Sequence, residues 1–267
     1  MNRLLELFER NRREGKKLLS IFVTAGYPVL QGTPDLVCTL EQAGADFVEL
    51  GLPFSDPIAD GPTIQESSTR ALENGMTLSL ALRQVREIRE RSNMPILMMG
   101  YFNPLFRYGL DRLVTDAEAA GVDGFIIPDL LPEDYSRFEH AFSGRNIGVN
   151  FLVSPNTAHA RIQTVDRLTD AFIYCVSVTG VTGTRRGVPA GLIEFLAGMK
   201  ESVVHPVLVG FGISNGEDAA TLARHCDGVI VGSAVIKILS QPGEMAKKYE
   251  LVSQFVGQLK ESLKGVE

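Results

Sequence analysis

Eight short apolar runs, each apolar on both faces, punctuate this 267-residue chain. They are Leu18–Thr24, Phe47–Gly51, Pro95–Met99, Gly124–Pro128, Val149–Ser154, Phe172–Ser177, Pro206–Gly210 and Gly228–Gly232. A strand with one wet face alternates apolar and polar residues. A strand covered on both faces in a parallel sheet does not, and these runs read that way. Helical patterns fill the intervals. Pro34–Ala43 has Thr33 placed to cap it, Pro34 in its first turn and Gly44 past its end. Thr77–Arg91 sets Leu80, Val85 and Ile88 against Arg83, Arg86, Glu87 and Arg89. Further helices fall near Leu110–Ala120, Glu133–Phe142, Ala158–Leu168, Leu192–Glu201, Glu217–His225 and Glu244–Leu263, and Leu4–Arg13 precedes the first strand. Eight strands alternating with helices, in a chain near the ~250 residues usual for that architecture, predict a closed (β/α)8 TIM barrel with an extra N-terminal helix. An open, doubly wound sheet is the alternative. No linker or low-complexity segment divides the chain, so residues 1–267 are expected to form a single domain.

A hydrophobic content of 45% suffices for a core of that size. The net charge of -6 speaks against a nucleic-acid partner, which favours a basic face. Cys38, Cys175 and Cys226 are odd in number and widely spaced, as reduced thiols would be. The first residues, MNRLLELFERNRREGKK, lack the apolar stretch of a signal peptide, and no run reaches the ~18 residues of a membrane span. A cytoplasmic protein without membrane contact is expected.

In such a barrel, chemistry belongs where strands end and βα loops begin. After the second strand the chain reads Glu49-Leu-Gly-Leu-Pro-Phe-Ser-Asp56-Pro57-Ile-Ala-Asp60-Gly-Pro-Thr. Glu49 interrupts an apolar strand. Facing inward it would be desolvated and suited to move protons; facing outward it would pair with a helix Arg or Lys. Asp56 reads as a turn residue, and Asp60 stays undecided between turn and site. The loop Ser177-Val-Thr-Gly-Val-Thr182-Gly183-Thr-Arg-Arg-Gly187 reads either as a lid over an anion or as an ordinary mobile loop. Gly212 follows the seventh strand, and Gly232 with Ser233 follows the eighth; Ser233 is placed to cap a short helix aimed at an anion. Glycine-rich ends on these two strands are the usual phosphate site of the fold. No Lys lies within a candidate strand or at its end, which disfavours a Schiff base. His140, His159, His205 and His225 form no metal-binding pattern, and no GxGxxG follows the first strand. The residues alone thus point to a barrel enzyme acting on a small phosphorylated molecule through carboxylates, without a metal.

The run Val48 to Gln65 closely resembles the signature of the tryptophan synthase alpha family. So do PheValThrAlaGlyTyrPro at 22–28, GlyValThrGly at 180–183, GlyPheGlyIleSer at 210–214 and GlySerAla at 232–234. The resemblance implies a lyase that splits indole-3-glycerol phosphate into indole and glyceraldehyde 3-phosphate for tryptophan biosynthesis. It implies Glu49 as the catalytic acid/base and Asp60 as the carboxylate that binds the indole N–H. Gly183, Gly212, Gly232 and Ser233 would hold the phosphate. Phe22, Tyr101, Tyr174 and Phe211 would line the indole pocket, and Thr182 would close beside Asp60. Asp56, Pro57, Asn103 and Pro104 would touch a beta subunit in an alpha2-beta2 tetramer. This subunit would carry no cofactor; pyridoxal phosphate would belong to the beta partner. Other phosphate-binding barrels, such as a phosphoribosyl isomerase, would lack the long second-strand motif, and a purely regulatory subunit would have no use for both Glu49 and Asp60.

Overall fold

The computed structural model describes residues 2–176, 188–210 and 212–266. Its strands are β1 (Leu18–Thr24), β2 (Phe47–Gly51), β3 (Ile96–Met99), β4 (Gly124–Ile126), β5 (Gly148–Asn150), β6 (Leu152–Val153), β7 (Ile173–Val176), β8 (Val207–Gly210) and β9 (Gly228–Val231). All pair in parallel, in the order β5-β4-β3-β2-β1-β9-β8-β7-β6. The ends of that order, β5 and β6, flank the single residue Phe151. They are two halves of the one strand expected at Val149–Ser154. The first half pairs with β4 and the second with β7. Across the seam, Asn150 Oδ1 accepts from the N–H groups of Ala171 and Phe172, each at 3.1 Å, and Tyr174 N–H donates to Phe151 O at 3.0 Å. The sheet therefore closes into a (β/α)8 TIM barrel of eight strand positions. The split strand is a consequence of closure: one strand changes partners midway to join the two ends.

Side chains alternate across the barrel wall. Leu19, Ile21, Val48, Leu50, Ile96 and Met98 face outward into the core beneath the helices. Leu18, Phe47, Leu97, Ile126, Phe172, Tyr174, Leu208 and Ile230 fill the interior. The helix Arg3–Glu14 plugs the lower mouth with Leu4, Leu7 and Phe8. Its Phe8 ring stacks on Phe172 at 5.4 Å and meets Phe47 at 6.1 Å. Asn2 caps that helix through the Leu4 N–H and donates to the carbonyls of Asp123 and Asn146, so the plug is fastened to the strand bottoms.

Some expectations need correction. Gly32 rather than Thr33 caps the next helix, Thr33–Gln42; the Thr33 hydroxyl instead accepts from Gly26 N–H at 2.9 Å. The expected helix Glu133–Phe142 is only Pro132–Tyr135 and a 3-10 turn at Glu139–Ala141. Helices at Pro62–Glu73 and Phe102–Tyr108 were not legible. The first buries Ser67, Ser68 and Ala71, so its inner face carries no hydrophobic period.

Candidate active site

Glu49 shares the inward parity of Phe47 on β2 and is fully buried inside the barrel. The outward alternative is therefore wrong. Its neighbours across the sheet are Phe22 on β1 and Leu97 on β3. Ser20 Oγ donates to Glu49 Oε1 at 2.9 Å, while Oε2 has no partner among the described residues. Removal from water disfavours the charged form and outweighs the Ser20 hydrogen bond, so the carboxyl is pushed up from 4.5 to about 8.

One layer above, a cleft opens at the C-terminal ends of the strands, lined among others by Phe22, Gly51, Asp60, Ile64, Met99 and Tyr101. Gly51 makes room for it: a Cβ there would stand 2.7 Å from Phe22 Cε2. Asp60 reaches the cleft from a loop of two consecutive turns, Ile58 N–H to Asp56 O at 2.9 Å and Asp60 N–H to Pro57 O at 3.0 Å. Tyr101 steadies the loop, its hydroxyl accepting from Ala59 N–H at 2.9 Å and its ring lying 5.4 Å from Phe54. Burial raises Asp60 to about 6, against the lowering effect of the Tyr101 hydroxyl. Tyr174, on β7, is buried and senses both carboxylates: its hydroxyl is held well above the ordinary range by burial, then by Glu49 and Asp60.

Carboxylates around the cavity at the opposite mouth are already committed. Asp123 binds Arg3 at 2.7 Å, Arg89 at 2.9 Å and the Ile96 N–H at 2.8 Å, and Asp170 accepts from Val149 N–H at 2.7 Å. At the upper end Asp60, with raised proton affinity, lines the cleft, and Glu49, raised further, lies buried below it.

The ends of strands β8 and β9 bring three further predicted residues to this face. Gly212 adopts φ +44, and a Cβ there would meet nothing within 4 Å. Gly232 occupies the cap position of the helix Ser233–Ser240. Ser233 is thus its first residue and not its cap, and no side chain caps this end. The first N–H groups of a helix have no acceptor within it, which leaves a site for an anion. Asp56 is exposed and Pro57 half-buried on the loop after β2; Asn103, exposed, and Pro104, half-buried, lie not on a loop but in the first turn of the helix Phe102–Tyr108 that follows β3. Thr182, Gly183 and Phe211 lie outside the described residues. Ser20, Gly51 and Ile64 were missed. A lone Ser at inward parity in an apolar strand was the available signal for the first.

Comparison with known proteins matches the chain along nearly its whole length. The family model described as tryptophan synthase alpha chain matches residues 8–264. The chain is 44% identical over 265 residues to the tryptophan synthase alpha chain of Geobacter sulfurreducens, covering 98% of this chain and 99% of that one. It is 44% identical over 256 residues to that of Roseiflexus castenholzii, covering 94% and 98%. Among solved structures it is similar to tryptophan synthase subunit alpha from Legionella pneumophila, with a TM-score of 0.91 and 32% identity over the whole of both chains. A mutant alpha-subunit from Pyrococcus furiosus matches with a TM-score of 0.84 and 37% identity, covering 91% of this chain and 98% of that one.

Proposed function

The chain belongs to the tryptophan synthase alpha chain family, and from that premise we propose that Glu49 and Asp60 carry its chemistry. The alpha subunit is a lyase of tryptophan biosynthesis; it cleaves indole-3-glycerol phosphate, and the indole passes to the beta subunit. Breaking the bond from indole C3 to the glycerol chain requires a proton on C3 and removal of one from the C3′ hydroxyl as the aldehyde forms. Two carboxylates whose surroundings separate their proton affinities divide such work. Glu49, at about 8, is protonated at neutral pH and supplies the proton to C3; its carboxylate then takes the proton of the C3′ hydroxyl. Asp60, at about 6, is ionised at neutral pH and accepts a hydrogen bond from the indole N–H as positive charge develops there. The indole ring takes the electrons, so this subunit needs neither metal nor cofactor for the step, and pyridoxal phosphate is assigned to the beta subunit.

Phe22, Tyr101 and Tyr174 are proposed to hold the indole ring, with Phe211 and with Thr182 beside Asp60. Gly212, Gly232 and Ser233, with Gly183, hold the phosphate. Asp56, Pro57, Asn103 and Pro104 form the docking face for beta in an alpha2-beta2 tetramer. Around them Ile58 is 84% exposed and Phe106 is 55% exposed, apolar surface suited to a protein partner. We take residues 1–267 as one domain acting in the cytoplasm; among the described residues no helix is long and apolar enough to cross a membrane. The observation that carries this reading is the buried, high-affinity carboxyl of Glu49 beneath a cleft rimmed by Asp60. The test is indole release by Glu49→Gln: a loss of at least ~10²-fold with glycerol phosphate still bound supports it, and wild-type turnover refutes it.

A further inference from the structure

Strand β1 reads Leu-Leu-Ser-Ile-Phe-Val-Thr, and Ser20 sits at its middle, fully buried. An unpartnered hydroxyl in such a place costs on the order of 1–3 kcal/mol. Ser20 escapes that cost through one side-chain bond, to Glu49. The pairing register explains the reach. Phe22 lies beside Glu49 and Ser20 beside Phe47, so Ser20 shares the inward face one step below the carboxyl. Among the described residues this is the only hydrogen bond that the Glu49 side chain makes.

We propose that Ser20 is a positioning residue for the cleavage reaction: its hydroxyl holds Oε1 and fixes the carboxyl, leaving Oε2 as the oxygen that exchanges protons with substrate. This rests on Glu49 being the proton-transfer group. With the proton on Oε2, Oε1 has carbonyl character and still accepts from Ser20. Once Oε2 has given its proton to indole C3, the same bond strengthens, because acceptors that carry charge bind donors more tightly. Oε2 then takes the proton of the C3′ hydroxyl, and the carboxyl is restored. Ser20 stays in place throughout.

The groups facing Glu49 leave Ser20 this role. Phe22 on β1 and Leu97 on β3 are apolar. Tyr174 on β7 stays neutral, and Asp60 on the loop above has no positive charge to offer. Among the described residues no salt bridge reaches Glu49, so Ser20 is the group that favours its ionised form.

The experiment compares Ser20→Ala, Ser20→Thr and Glu49→Gln in the full chain. Carbon-13 labelling of glutamate carboxyls follows the titration directly, the Glu49 signal being the one missing from E49Q. Loss of the hydroxyl should raise the Glu49 titration by about one pH unit, the shift that a hydrogen bond to a charged group implies. It should lower kcat by ~10-fold while the Kd of glycerol phosphate is unchanged. Ser20→Thr keeps the hydroxyl and should restore both. An unmoved titration with wild-type kcat in S20A overturns the Ser20 role. An inactive E49Q alongside that result leaves the Glu49 reading standing, whereas an active E49Q overturns both.

Discussion

Replacing Glu49 by Gln removes a buried ionisation, and the stability of the barrel should report it even without substrate. Glu49 titrates near its ordinary 4.5 in the unfolded chain and at about 8 in the folded one. Between those values the unfolded chain binds fewer protons than the folded protein, so wild-type stability falls as pH rises, by ~1.4 kcal/mol per pH unit. Across the whole interval this is ~5 kcal/mol, an upper figure because water entry and local relaxation soften a buried charge. Below pH 4.5 the carboxyl is neutral in both states and nothing is lost; above about 8 the loss is complete. Gln keeps the acceptor for Ser20 and cannot ionise. Its own unpaired amide adds a cost that does not depend on pH. The assay is denaturant unfolding of wild type and E49Q from pH 5 to 9, read as the difference between them, in which Asp60 and the surface carboxylates cancel. E49Q should gain on wild type steadily with pH and then level off. A difference that stays flat across that range would falsify the burial and raised proton affinity on which the acid/base role depends.

Asp60→Asn should lower kcat/KM for indole-3-glycerol phosphate by ~10²-fold while retaining glycerol phosphate in a binding titration. Wild-type cleavage should also fall as pH drops through about 6, where Asp60 takes up its proton, and this limb should be missing from the residual activity of D60N. Gly232→Asp sets a like charge at the helix start, with its Cβ 3.1 Å from Phe22 Cβ, and should raise the KM for substrate sharply and lower the unfolding midpoint modestly; unchanged affinity for glycerol phosphate would place the phosphate elsewhere. Gly51→Ala puts a methyl against Phe22 and should cost ~1–3 kcal/mol in denaturant unfolding, together with weaker substrate binding. Purified beta subunit titrated into this chain should raise indole release, and substrate analogue should tighten beta association by the factor by which beta tightens analogue binding. A flat rate with complex formation confirmed independently would remove the activation.

The barrel was legible because its strands are buried on both faces, and β1 and β2 fall at the expected residues for that reason. What escaped were elements whose burial is not hydrophobic. Pro62–Glu73 packs Ser67 and Ser68 inward, and Thr24 and Ser67 share a hydrogen bond of 2.7 Å between their hydroxyls. A hydroxyl-lined seam leaves no trace in a hydrophobic period. The change of partner at Phe151 was equally hidden, since nothing local in Val149–Ser154 says which strand each half will meet. The direction of Glu49 followed from parity with Phe47, yet parity alone cannot say which parity faces inward until the ring has closed. Asp60 stayed open in the sequence because turn chemistry alone accounts for an Asp there. Its site role is argued from Tyr101, which meets the loop from another strand end.

The two carboxylates hang on one strand and the loop that follows it, but their surroundings are held by different means. Glu49 is set by the barrel wall itself, between Phe22 and Leu97, and its raised proton affinity comes from burial there. Asp60 is set by two turns, one hydrogen bond from Gln65 to its carbonyl and the hydroxyl of Tyr101. Half-buried, it has proton affinity that follows how deeply the loop seats. The exposed Asp56 and Ile58 lie on that same loop, so a partner docked there, as proposed, would change the seating of Asp60 without touching Glu49. Coupling between docking and catalysis should therefore enter through Asp60, the group proposed to bind the indole N–H, and the titration assigned to Glu49 should be the same with and without beta.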